Sequence, residues 1–216
     1  MYLLATDTSG RDGSIALARC EQDGSCDILE IVPLAGGMFS AQLVPQVIVL
    51  LASHRLRKQD IDAFAVASGP GSFTGLRIGL AAIKGLAEIL DKPIAAVSLL
   101  EALAHSTTGQ GRVIAALDAG RGEFYTGIYE SDGVSWKLAS ESLLTQSELL
   151  HSAVDCVLVT PEPVLVAAAR GHGVEVMEVE RPRSDAIARL GWKKILAGEV
   201  VSPEALDANY IRRAVT

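Results

Sequence analysis

No stretch of the 216-residue sequence is both uncharged and continuously apolar for the roughly 20 residues a membrane helix needs. The opening MYLLATDTSG has neither the basic start nor the extended apolar stretch of an export signal. The chain therefore reads as soluble, unexported and cytoplasmic, with no membrane role. Cysteine is scarce: Cys20, Cys26 and Cys156 share no CxxC spacing and lie in apolar contexts where a small hydrophobe would serve equally well, which suits a reducing cytoplasm. His54, His105, His151 and His172 are far apart, and none has a second His or a carboxylate at the spacing of a helical metal site, so no metal is expected on this chain. Positive charge is also short. With 19 Lys and Arg against 26 Asp and Glu the net charge is -7, and a phosphate backbone would feel repulsion averaged over the surface, so tight unaided RNA binding is not expected. The clusters Arg55 to Lys58 and Arg181 to Arg183 read as solvated helix ends or loops. There is no GxSxG elbow around Ser9, Ser72 or Ser98 to suggest a serine hydrolase.

What is present is an α/β pattern given twice. Tyr2 to Thr6 and Ser14 to Ala18 read as a hairpin around the turn Asp7-Thr8-Ser9-Gly10, and Cys26 to Leu34 supplies a third strand. A helix over Ser40 to His54 follows, with Pro45 fitting if it falls in the first turn. Then come strand Ala63 to Ser68, a glycine-rich turn, a helix over Thr74 to Leu90 and strand Pro93 to Ser98. From Arg112 the order restarts. Val113 to Leu117 and Phe124 to Tyr129 make a second hairpin, and matching Asp118 to Asp7 gives two copies of strand, Asp-containing turn, strand. Strands Trp136 to Leu144 and Asp155 to Thr160 and helices near Gln146 to Ala153, Pro163 to Arg170 and Ser184 to Ala197 complete the second copy, before an irregular tail. Mixed sheets flanked by helices are expected, in lobes of residues 1–110 and 111–216 that meet near Gly109 to Arg112.

Ser68-Gly69-Pro70-Gly71-Ser72-Phe73-Thr74-Gly75-Leu76-Arg77 is the most informative stretch. Glycines between a buried strand and a helix could turn their N–H groups toward an anion, and Asp7, Gly69, Gly71, Ser72 and Thr74 are the candidates for a nucleotide or phosphate there. The stretch lacks the Lys of GxxxxGK[ST] and does not match GxGxxG, and a plain strand-to-helix turn capped by Ser72 or Thr74 accounts for it as well. The two helices of the first copy carry more apolar surface than one contact with a sheet requires. Leu43, Val44, Val47, Ile48, Leu50 and Leu51 cover the first. On the second, Leu76, Leu80, Ile83, Ala87 and Leu90 form one apolar face and Ile78, Ala82, Gly85 and Ile89 another. Deep burial in the chain's own core and a docking surface for another protein's helices both fit this excess. Asp7 and Asp118 also invite comparison with the Asp pair of an actin-like ATPase, but no Gly-Gly-rich adenosine loop follows in the second half.

ATDTS, AVASGPGSFTGLRIGLAAIKGLA, PIAAVSLLEALA, ALDAGRGEFYTGIY and a Pro...Tyr-Ile-Arg tail together resemble the TsaB family, formerly called YeaZ. The resemblance covers most of the first 130 residues. It implies an α/β, actin-like (ASKHA, ribonuclease H-like), duplicated two-lobe fold. It also implies a non-catalytic accessory subunit that binds and activates TsaD, with TsaE, for N6-threonylcarbamoylation of adenosine 37 in ANN-decoding tRNAs. A homodimer is implied when TsaD is absent, tRNA is met only through the complex, and ATP or ADP and a metal reside in the partner subunits and not on this chain. The implied interface uses the first two helices, through Leu43, Val47, Leu50, Leu51, Phe73, Leu76, Arg77, Leu80, Ile83 and Lys84. Where the family often has His-Ser-Glu before its first helix, this chain has Phe39-Ser40-Ala41. The competing expectation is a stand-alone enzyme: an ATPase using Asp7 and Asp118, or a peptidase, since the wider family was once described as glycoprotease-like.

Overall fold

The computed structural model describes residues 1–107, 110–133 and 135–211. The chain forms two compact units. One comprises Met1–Ser98 and Pro182–Asn209, the other Leu99–Arg181 with the tail from Tyr210.

The first unit is a five-stranded sheet in the order β3-β2-β1-β4-β5, built from β1 (Tyr2–Asp7), β2 (Gly13–Cys20), β3 (Cys26–Leu34), β4 (Ala63–Gly69) and β5 (Ile94–Ser98). β1, β2 and β3 pair antiparallel, while β1, β4 and β5 pair parallel. β4 is buried at every position, which requires cover on both faces, as central mixed strands do. The cover follows from side-chain alternation. Phe64 and Val66 join the core beneath α1 (Phe39–Ser53) and α2 (Phe73–Leu90). Ala65, pointing the opposite way, meets Gly191 of α6 (Ser184–Leu196) at so close an approach that a Cβ on Gly191 would collide with the Ala65 methyl. α6 is tied to the hairpin side as well, its Trp192 indole N–H donating to the Glu21 carbonyl at 2.9 Å and its Ser184 N–H to the Ser14 hydroxyl at 3.0 Å.

The second unit repeats the plan. Its sheet order is β10-β9-β6-β7-β8, from β6 (Gln110–Gly120), β7 (Glu123–Asp132), β8 (Trp136–Thr145), β9 (Val157–Thr160) and β10 (Val176–Glu178). The antiparallel meander β6, β7, β8 and the parallel strands β6, β9, β10 reproduce the first sheet's pairings one for one. Even the turns agree: Asp7 Oδ1 accepts from the Ser9 N–H and Asp118 Oδ1 from the Gly120 N–H, both at 2.9 Å. The sequence's two-copy pattern is thus a duplication of topology. α4 (Gln146–Ser152) and α5 (Pro163–Gly171) stand where α1 and α2 stand in the first copy.

The units do not divide at 110/111 as the sequence suggested. The helix after β5, α3 (Leu99–Ala104), belongs with the second sheet, and the helix after β10, α6, returns to the first. Each copy gives its last helix to the other's sheet, a choice that local periodicity does not encode. Gly109, in the predicted boundary, lies outside the described residues, as do Arg212 and Arg213 of the predicted tail motif. Pro45 also differs from expectation. It sits inside α1, beyond the first turn, so the backbone N–H that would bond the Ala41 carbonyl is missing there. No described helix is long and apolar enough to cross a membrane.

Candidate functional site: the two helices over the first sheet

α1 contains no charged residue, only Ser40, Gln42, Gln46 and Ser53 as polar side chains. Leu43, Val47, Leu50 and Leu51 recur at helical spacing and are buried on Leu4, Leu17, Phe64 and Ile83 of the same unit. Phe39, the first residue of α1, is buried and lies against Gly13 of the first hairpin. The opposite side of α1 would ordinarily be polar. Instead Ala41, Val44, Pro45, Ile48, Val49 and Ala52 all face outward, with Ile48 63% and Val49 62% exposed.

α2 packs beside α1. Leu76, Leu80 and Ile83 are buried in the same core, while Phe73, Arg77, Ala81 and Ile89 are exposed and Ile78, Ala82, Lys84 and Gly85 half-exposed. The Arg77 guanidinium lies 3.8 Å from the Phe73 ring centre, a cation–π contact. This corrects the residues assigned to an interface. Leu43, Val47, Leu50, Leu51, Leu76, Leu80 and Ile83 are spent on the chain's own core. The apolar surface left open runs through Val44, Ile48, Val49 and Ile89, beside Phe73, Arg77 and Lys84. Sequence reasoning noticed Val44, Ile48 and Ile89 as excess but could not tell which side of each helix the sheet takes.

The glycine-rich turn between β4 and α2 has a structural task. Ser72 caps α2, its hydroxyl accepting from the Gly75 N–H at 3.3 Å. The Ser72 N–H donates to the Ser9 carbonyl at 2.7 Å, and the Thr8 hydroxyl donates to the Gly75 carbonyl at 2.8 Å. A Cβ on Gly75 would strike the Thr8 carbonyl, and one on Gly71 would lie 2.8 Å from the Ser9 Cβ. The glycines therefore let the helix start press backbone to backbone onto the β1–β2 turn. The Ser72 and Gly75 N–H groups thus already have acceptors within the chain, and the space beside Gly71 and Gly75 is filled by Ser9 and Thr8. Thr74 is exposed, and Gly69 lies against Asn209. Asp7 is buried with Oδ1 closing its own turn, as Asp118 does in the second copy. We predict that Gly75→Ala lowers stability by about 1–3 kcal/mol, the usual cost of forced overpacking. The effect reads as a lower urea midpoint at unchanged slope. A gain in stability, the ordinary result of replacing a helical glycine by alanine, would contradict the close approach.

A concavity of about 440 Å³, open to solvent, lies in the other unit and is lined by Arg112, Asp155, Cys156 and Glu175 among others. Among the described residues no group of three or more His, Cys, Asp and Glu side chains is placed to hold a metal ion.

Comparison with known proteins gives the family. A family model described as "TsaD: tRNA N6-adenosine threonylcarbamoyltransferase" matches residues 32–183, a span that includes α1, the glycine-rich turn and α2. The tRNA threonylcarbamoyladenosine biosynthesis protein TsaB of Bacillus subtilis (strain 168) is 40% identical over 230 residues, covering 99% of this chain and 95% of its own length. Its Escherichia coli (strain K12) counterpart is 34% identical, with 100% and 96% covered. Among solved structures, YeaZ from Pseudomonas aeruginosa superposes with a TM-score of 0.75 at 28% identity, over 97% of this chain and 99% of that one.

Proposed function

The chain belongs to the TsaB family and has its actin-like, duplicated α/β fold, and from that premise we propose that it serves tRNA threonylcarbamoyladenosine biosynthesis as a non-catalytic subunit that binds and activates TsaD. The observation that carries this reading is the outward stripe of α1. A helix apolar on both sides is ordinarily buried on both sides. With Leu43, Val47 and Leu50 already in the core, Val44, Ile48 and Val49 are the side that waits for cover. α2 extends this surface with Ala81, Ala82 and Gly85, whose small side chains allow a partner helix to come close, and with Ile89. The Arg77–Phe73 pair at its N-terminal end supplies the Arg and aromatic types enriched at interface centres.

TsaD is itself the partner suggested by kinship, since the family model that matches this chain bears its name. A paralogue with the same two helices would set a four-helix contact in which each partner covers the other's apolar stripe. The same self-complementary face allows a homodimer when TsaD is absent. TsaE joins the assembled pair, ATP or ADP and the metal belong to the partner subunits, and tRNA reaches this cytoplasmic chain only through the complex. The test is size-exclusion chromatography with light scattering on the chain alone, with the same organism's TsaD, and with TsaD and TsaE together. A one-to-one complex with TsaD that displaces any homodimer supports the assignment. A homodimer that persists unchanged beside free TsaD overturns it.

A further inference from the structure

The hairpin that joins β2 to β3 brings together two cysteines for which subunit docking has no use. The strands meet over the turn Glu21 to Ser25, closed by the Glu21 N–H on the Ser25 carbonyl at 3.0 Å and the Gly24 N–H on the Glu21 carbonyl at 3.1 Å. The last facing pair of the ladder is Cys20 opposite Cys26. On its other side Cys20 exchanges both backbone hydrogen bonds with Met1, donating to the Met1 carbonyl at 2.8 Å and accepting from the Met1 ammonium at 2.9 Å. Toward β3 it therefore stands in a non-hydrogen-bonded pair. In that class the facing Cα atoms approach to about 4.5 Å and the side chains are closest, within the span a disulfide bridges without backbone movement.

The two sulfurs are 2.7 Å apart, roughly 0.7 Å beyond a covalent S–S bond. The backbone on either side of them is pinned. The Arg189 guanidinium donates to the Cys26 carbonyl at 2.7 Å and the Trp192 indole to the Glu21 carbonyl at 2.9 Å, both from α6. Both thiols are buried, with Cys26 keeping the slight exposure that Cys20 lacks.

We propose that Cys20 and Cys26 are a redox modification site, closing to an intramolecular disulfide when hydrogen peroxide reaches the end of this hairpin. The hydrogen bond from Cys20, aided by the nearby Arg189 charge, holds the Cys26 thiol below its usual value, whereas the same bond and burial raise Cys20. Cys26 is accordingly the attacking thiolate. Its sulfur takes the distal oxygen of the peroxide, the O–O bond breaks, and the leaving hydroxide picks up a proton as water, leaving Cys26 as a sulfenic acid. The Cys20 sulfur then displaces that hydroxyl, its own proton leaving with it as a second water, so two thiols and one peroxide give one disulfide and two waters. β3 is the edge strand of the sheet, and the bond staples that edge to its neighbour. Cys156 is a built-in control: it is buried in the other unit, where desolvation pushes its thiol up.

The experiment uses the full chain, reduced and then treated with a small excess of hydrogen peroxide, denatured and alkylated. The reduced protein takes three adducts, one for each cysteine. After peroxide it takes one, on Cys156, and the tryptic peptide from Cys20 to Arg55 is lighter by two hydrogens until dithiothreitol restores it. In Cys20→Ser, Cys26 accumulates as a sulfenic acid trapped by dimedone. In Cys26→Ser, Cys20 stays alkylatable through the same exposure. Three adducts persisting in the treated wild type overturn the proposal, as does oxidation that falls on Cys156 while Cys20 and Cys26 remain open to alkylation.

Discussion

Replacing Ile48 by aspartate is expected to weaken association with TsaD strongly while leaving the chain folded, with a thermal midpoint close to that of the unaltered protein. The separation follows from where the side chain lies. Ile48 is on the outward stripe of α1 and 63% exposed, so in the free chain the carboxylate stays hydrated and the change costs within about 0.5 kcal/mol. In the complex the same carboxylate would be stripped of water among apolar side chains with no cation of α1 beside it, since that helix carries no charge. A loss of about 2–4 kcal/mol of binding, typical for the centre of an interface, weakens Kd roughly 30- to 1,000-fold. Isothermal titration calorimetry of the variant against TsaD reads this directly. Binding that survives intact in Ile48→Asp and in Val44→Asp would remove α1 from the interface.

Ile83→Asp is expected to do the reverse of what the family resemblance implies. The resemblance places Ile83 in the interface, where its replacement would break association and spare the monomer, while its helical face alone fits core and interface equally. In the structure it is 1% exposed, buried on Leu4, Leu50 and Phe64. Deleting its packing and burying an unpaired carboxylate together cost several kcal/mol, a large share of the roughly 5–15 kcal/mol that holds a domain folded. Leu80→Asp, at 5% exposure in the same core, is expected to behave alike. Circular dichroism should show a lost or sharply lowered thermal transition for both, and failure to bind would be secondary to unfolding. A variant at Ile83 that stays folded yet loses TsaD would mean that α2 turns its other side to the sheet.

These two substitutions mark the limit of what the sequence could say. Strands and helices were legible because the short apolar run Ala63 to Ser68, closed by the glycine-rich turn, and the helical spacing of Leu76, Leu80 and Ile83 are local signals. The duplication was legible from Asp7 and Asp118, and the identical turn bonds at Ser9 and Gly120 give it a physical basis. Facing was not legible. α1 has Leu43, Val47 and Leu50 on one side and Val44, Ile48 and Val49 on the other, and with no charge on either side the pattern cannot choose which one meets the sheet. The exchange of α3 and α6 between sheets escaped for a related reason, since an amphipathic helix does not specify which of two similar sheets it covers. The glycines of the β4–α2 turn were read as possible anion ligands because backbone N–H groups look alike in sequence whether they meet a phosphate or the Ser9 carbonyl. The Cys20–Cys26 pair was hidden by register. The sequence ends its second strand at Ala18, short of Cys20, and the β2–β3 ladder shifts between Leu17 and Ala18, so the predicted strands Ser14 to Ala18 and Cys26 to Leu34 did not place Cys20 opposite Cys26.

Whether this chain acts through its α1–α2 face on a catalytic partner is decided by threonylcarbamoyl transfer to an ANN-decoding tRNA with the same organism's TsaD and TsaE. The assay is run without this chain, with it, and with Ile48→Asp. Transfer that requires the wild-type chain, and that falls toward the chain-free level with Ile48→Asp at equal concentration, is the expected result. Transfer that proceeds equally in all three mixtures would contradict the account.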